Sequence, residues 1–129
     1  MVYVVDTHSL VWFLSEDSKL SHKAKEVFEK VERGEETMII PTIVLAELLY
    51  ICEKKRVRDT FFDIIDRIAK GANYIPYDLN IEIILKCKNL TKITEMHDKI
   101  VTATAQLLKA VVITKDEEIK SSGYVETLW

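Results

Sequence analysis

Cysteine is nearly absent from this sequence of 129 residues: Cys52 and Cys87 stand far apart, with no CxxC spacing and no cysteine–histidine cluster. That excludes a disulfide framework and a structural zinc site, and both residues fall on apolar positions of expected helices, where core packing is their role. A reducing, cytoplasmic compartment is the expectation. No apolar run reaches the roughly eighteen residues a membrane helix needs, and Met1 leads straight into "VYVV" without a basic region or cleavage site. Neither a membrane span nor a secretion signal is expected. Excess positive charge is missing as well: 18 Lys and Arg face 21 Asp and Glu, for a net charge of -3. A basic footprint over the whole surface is thereby excluded, so any contact with nucleic acid has to be local. Gln106 is the only glutamine, and with 30% charged residues and short loops the composition is compatible with a thermophilic source. Repeats of fixed period and low-complexity tracts are absent.

What is present is apolar and regularly punctuated. A hydrophobic content of 48% suits one core, and the expectation is a single domain over residues 1–129. "VYVVDT" is a β-branched run that stops at an acid, the pattern of a buried parallel strand. "TMIIP", stopped by Pro41, and "VVIT" are two more such strands. "NYIPYD" is a short extended piece and "YVETLW" a candidate last strand. Between them lie a short helix over residues 9–14, one capped by Ser21 and running to about Arg33, and one capped by Thr42 that carries "IVLAELLYICEKKR". Three more follow over residues 59–70, 79–90 and 98–110, the second expected to turn Ile81, Ile84, Leu85 and Cys87 inward. Apolar strands separated by helices imply the α/β class, a parallel sheet covered on both faces and joined by right-handed crossovers.

Four acids sit where an apolar element ends or where burial is expected. Asp6 follows the first strand, Glu47 interrupts "TIVLAELLYI", Asp98 starts a helix and Asp116 follows "VVIT". Alone, Asp98 is an ordinary helix cap, and Asp6 or Asp116 an ordinary turn residue. Glu47 is different, because a carboxylate in so apolar a stretch needs a partner or takes up a proton. Carboxyl ends of parallel strands share one edge, where ligands bind, so Asp6 and Asp116 would face one crevice if their strands are neighbours. Converging carboxylates repel unless a cation holds them, and an all-oxygen set suits Mg²⁺ or Mn²⁺. Glu95 could take the role of Asp98, and Glu117 or Glu118 that of Asp116, although the first acid after the strand is preferred.

On "DTHSLVW", "PTIVLAELLY", "HDKIVTATAQ" and "ITKDEEI" the chain resembles a PIN domain of the VapC-type ribonuclease toxins, over nearly its whole length. The resemblance implies a three-layer α/β/α fold with a central parallel sheet of about five strands. It also implies metal held by Asp6, Glu47, Asp98 and Asp116, with the hydroxyls of Thr7 and Thr114 nearby. Metal-dependent endoribonuclease activity on RNA, a cognate antitoxin partner and a homodimer follow from it as expectations. Lys99 stands where related chains frequently have arginine, which puts a point charge in place of a planar fork at the phosphate contact.

Further residues have two readings each. The basic run "KKRVR", with Lys54, Lys55, Arg56 and Arg58, either steers RNA phosphates or simply suits a helix carboxyl end. Trp12 and Phe13 either stack bases at the site edge or pack in the core. His8 is not required by the resemblance, His22 lies in a polar segment, and His97 beside Asp98 suits a supporting hydrogen bond. Within the same fold, an RNA-processing nuclease or a non-cleaving RNA-binding domain is the alternative. A phospho-acceptor receiver domain is opposed by the single acid in "VVDTHS" and by the lack of an aspartate after "IIPT".

Overall fold

The computed structural model of the chain describes residues 1–56, 58–71 and 73–129, so Val57 of the basic run lies outside the described residues. Five strands form one sheet: β1 (Val2–Val5), β2 (Thr37–Pro41), β3 (Tyr74–Tyr77), β4 (Val111–Ile113) and β5 (Thr127–Leu128). All neighbours pair in parallel, in the order β3-β2-β1-β4-β5. Val4 pairs with Ile39 on one side and Val112 on the other, and Val4, Val5, Ile40, Val112 and Ile113 are fully buried. Continuous β-branched runs are what a strand covered on both faces requires. Pro76, which has no amide proton to give, falls on β3 at the sheet edge, where the missing bond costs least.

From β1 the chain steps outward to β2 and β3 through α1 (Thr7–Leu14), α2 (His22–Glu32), α3 (Thr42–Lys55) and α4 (Arg58–Ala69). It returns across the sheet to β4 and β5 through α5 (Ile81–Cys87), α6 (Met96–Leu108) and α7 (Glu117–Ser122). Right-handed crossovers therefore set the first four helices on one face and the last three on the other. Packing agrees: α1 touches α2, α3 and α4, while α5 packs on α6. The direction of travel reverses between β1 and β4, and at that point a parallel sheet opens a crevice beyond its carboxyl edge. In the core, Phe13 stacks on the fully buried Phe28, with ring centroids 4.3 Å apart. Cys52 and Cys87 are both buried and free, and burial pushes both thiols up.

Several local expectations are corrected. Thr42 does not cap α3: Pro41 holds the cap position, and the Thr42 hydroxyl accepts instead from the Leu79 amide. The helix expected over residues 79–90 is shorter, capped by Asn80, and buries only Ile83 and Cys87. Ile81, Ile84 and Leu85 are exposed, because α6 covers one narrow stripe of α5 and nothing else among the described residues lies over the rest. On the α3 and α4 side, Leu49, Tyr50, Phe62 and Ile65 are exposed too, so α3 is not buried on most sides. No helix among the described residues is long and apolar enough to cross a membrane.

Candidate functional site

Asp6 is the residue at which β1 becomes α1. Its extended backbone makes it the N-cap of α1, with Oδ1 accepting from the Ser9 amide at 3.0 Å. Its Oδ2 accepts from the Thr114 hydroxyl, and its own amide donates to Ile113 O at 3.4 Å. Ser9 adds a second tie, its buried hydroxyl donating to Ile113 O at 3.2 Å. The pairing of β1 with β4 thus aims Asp6 at the end of the neighbouring strand.

Asp116 repeats the device on β4. It is the N-cap of α7, Oδ1 accepting from the Ile119 amide at 2.9 Å, and its amide donates to the Thr114 hydroxyl oxygen at 3.0 Å. Thr114, 1% exposed, therefore joins the two strand-end acids, giving a proton to Asp6 and accepting one from Asp116. Valine has the same shape and could do neither.

Glu47, Asp98 and Glu95 come from the opposite side. Helix α6 starts two residues earlier than expected, at Met96, because Glu95 is its N-cap and accepts from the Asp98 amide at 3.0 Å. Asp98 lies in the first turn, and among the described residues nothing donates a hydrogen bond to its carboxylate. Burial, then the charges of Asp116, Glu95, Asp6 and Glu118, push its carboxyl up to about 7. His97 Nδ1 stands 2.8 Å from Glu95 Oε1 and 3.5 Å from Glu47 Oε2. This is the partner that Glu47 needs. Burial works against a charge on His97, but the Glu95 hydrogen bond and the charges of Glu47, Glu95 and Asp98 raise its pKa. Burial likewise opposes ionisation of Glu95, and bonds from the Asp98 amide and from His97 hold its carboxyl below the usual range.

Asp6, Glu47, Asp98 and Asp116 all line one cavity of about 590 Å³, with Glu95 and His97 on the same wall as Asp98. Thr7, also buried, lines it too. The acids share the cavity without closing on one point: among the described residues no three Asp, Glu, His or Cys side chains are close enough together to hold an ion as they stand. Their chemistry nonetheless fits a hard divalent cation, since the donors are carboxylate oxygens and Asp98 carries repulsion that no donor relieves.

The basic residues go elsewhere. Lys54, Lys55 and Arg56 end α3, seven or more residues and so about 10 Å along the axis beyond Glu47, and Arg58 opens α4. None lines the cavity, and Lys99 faces an apolar groove with Leu79, Ile84 and Met96. Glu95 and Glu118 entered the sequence reading only as substitutes for Asp98 and Asp116, and Lys115 did not enter it as a site residue. Glu95 sits three residues before Asp98, the spacing of a capping pair, which was the available signal. Lys115 lines the cavity beside Asp116. Glu118 is partly exposed, and its carboxylate accepts from the Thr94 amide at 2.6 Å and the Thr94 hydroxyl at 3.0 Å, tying α7 to the approach to α6.

The family model described as PIN domain matches residues 3–122. Among solved structures the chain is similar to VapBC2 of Rickettsia felis bound to a promoter DNA fragment, with TM-score 0.74 and 20% identity over 99% of this chain and 98% of that one. It is similar also to a toxin–antitoxin complex of Klebsiella pneumoniae, with TM-score 0.69 and 20% identity over 95% and 94%. A third likeness is to VapC20 of Mycobacterium tuberculosis, a sarcin-ricin loop cleaving toxin, with TM-score 0.70 and 11% identity over 98% of each chain. A search of the curated proteins found no match. At these identities the structural likeness is one of fold.

Proposed function

This chain belongs to the PIN-domain family, and from that premise we propose that it is a metal-dependent endoribonuclease, the toxin of a toxin–antitoxin pair. The observation that carries the proposal is the gathering of Asp6, Glu47, Asp98 and Asp116 into one cavity at the β1/β4 switch point. Mg²⁺ or Mn²⁺ held by these four would supply an activated water and charge stabilisation at the leaving oxygen of a phosphodiester. Each residue has a stated part. Asp6 and Asp116 are oriented by amides and by Thr114, Glu47 is oriented by His97, and Asp98 exchanges the repulsion of its neighbours for the cation.

His97 is engaged between two glutamates, and both cysteines are buried away from the site. An antitoxin that covers the cavity, a homodimer and a cytoplasmic location complete the proposal; the solved toxin–antitoxin complexes of the same fold support the first of these.

Purified protein given Mn²⁺ or Mg²⁺ is expected to cut RNA and leave a 5′ phosphate, to stop in a chelator, and to stop on Asp6→Asn. Expression should arrest growth, and co-expression of a small adjacent antitoxin gene should relieve the arrest. RNA left intact in both metals, with growth unaffected by wild type and Asp6→Asn alike, would sink the proposal.

A further inference from the structure

The cavity poses an electrostatic problem for a polyanion. Five carboxylates line it, those of Asp6, Glu47, Glu95, Asp98 and Asp116, and Lys115 is the one lysine or arginine among the lining residues. The basic residues of the α3 end and Lys99 point elsewhere. An RNA strand is therefore admitted most easily past Lys115, and what stands there is an aromatic ring.

Trp12 lies on α1, six residues on from Asp6, half-buried and lining the same cavity. Trp129 braces it edge-on, with ring centroids 5.8 Å apart at 64°. The exposed imidazole of His8 stacks loosely against it at 5.8 Å and 30°. Lys115 Nζ lies 6.0 Å from its ring centroid and Lys19 Nζ 5.9 Å. A ring held in place and ringed by ammonium groups matches an unpaired nucleotide in both its parts, since a base has a π-face to stack and its phosphate pairs with lysine. A Trp12 that served only the core would need neither the cavity wall nor the two lysines.

We propose that Trp12, with His8 and Lys115, forms a nucleobase subsite that seats one unpaired base of the RNA beside the phosphate to be cut. The subsite rests on the nuclease reading for its adjacency to the reaction, and on the Trp12 geometry for its existence. Stacking is indifferent to base identity, so the subsite selects single-stranded over paired RNA rather than one sequence.

The chain has two tryptophans, so Trp129→Phe leaves Trp12 as the sole indole reporter. In Ca²⁺, a six-nucleotide oligouridylate should quench Trp12 emission in that variant. With the wild-type protein, an oligomer of the same length made abasic throughout should bind about 5- to 150-fold more weakly, the range expected for a lost base–aromatic stack. Lys115→Gln should lower the salt dependence of binding by about 0.7 in log–log slope, one phosphate contact on a single strand. Trp12→Leu should raise KM for RNA cleavage by at least about 5-fold. Equal binding of the abasic and base-bearing oligomers, or unchanged Trp12 emission at saturation, overturns the subsite. If Trp12 senses the base but Mn²⁺-loaded protein cuts no RNA, the nuclease reading fails and the subsite stands. If Trp12→Leu cuts RNA with unaltered KM, the subsite fails and the nuclease reading stands.

Discussion

The two walls of the cavity manage negative charge in opposite ways. On the strand-end wall, Asp6 and Asp116 each cap a helix, and Thr114 links them, so both carboxylates are engaged by donors that burial has dried and fixed. On the helix wall, charge is handled among side chains: His97 bridges Glu47 and Glu95, Glu95 caps α6, and Asp98 is left with no donor among the described residues and a carboxyl near 7. The contrast locates the site's unrelieved repulsion on Asp98. A cation entering the cavity would relieve that wall most.

Asp98→Asn should therefore have the largest effect, and of opposite sign on activity and stability. On the proposed nuclease reading, cleavage should fall by at least about 100-fold, since several kcal/mol of metal-derived stabilisation would be lost. In chelator, stability should rise. A carboxyl raised above its unfolded value of 3.8 holds a proton in the native state that the unfolded chain has released, so wild-type stability drops as pH climbs from about 4 to about 7. Above that window the penalty is complete, roughly 1 to 2 kcal/mol once discounted for solvent screening of a half-exposed group. Urea titrations at pH 4 and pH 8 check it: the variant should match wild type at the first and exceed it at the second.

Thr114→Val strikes the other wall. Losing the donor to Asp6 and the acceptor for the Asp116 amide in a fully buried position should cost about 2 to 3 kcal/mol in chemical unfolding, with cleavage reduced as both acids loosen. Here activity and stability fall together, which distinguishes this wall from that of Asp98.

Glu118→Ala cuts the tie between the walls. Its bonds to Thr94 hold α7, and with it Asp116, against the segment that leads into Glu95. A partly exposed carboxylate with two donors is worth about 1 kcal/mol, and Mn²⁺ affinity by calorimetry should weaken about 10-fold if the walls drift apart. Unchanged Mn²⁺ affinity would show that the walls are registered by the sheet alone.

His97→Ala should have the smallest effect, roughly 0.5 kcal/mol as for an exposed ion pair. Its direction with pH is fixed by the raised pKa of His97: the stabilising charge is present below the ordinary value of 6.5 and is lost as pH rises through the folded value. Thermal melts should separate wild type from variant at pH 6 and converge at pH 9.

Much of this architecture is legible in the sequence. Three apolar runs, stopped by Asp6, by Pro41 and after Thr114, announced the parallel sheet, and the acids following two of them announced the crevice. Those readings succeed because strand patterning and helix capping act within a few residues of chain. The inward face of α5 was misassigned because "IEIILKC" is apolar nearly all round, and only the neighbour it meets decides which side is covered. The start of α6 was placed two residues late for a nearer reason, since Glu95 offers the capping chemistry three residues before Asp98. The bond from Thr94 to Glu118 spans 24 residues and leaves no periodic trace in the chain.

By itself the sequence determined the β1 and β4 strands, the carboxylates at their tips and the helices those carboxylates cap, because hydrogen bonds to a residue's own neighbouring amides depend on local spacing alone. Only the tertiary structure decided which charges meet. That His97 lies between Glu47 and Glu95, that Asp98 bears the repulsion, and that Lys115 stands over Trp12 all follow from crossings between distant elements, and Coulomb interaction depends on distance in space rather than along the chain.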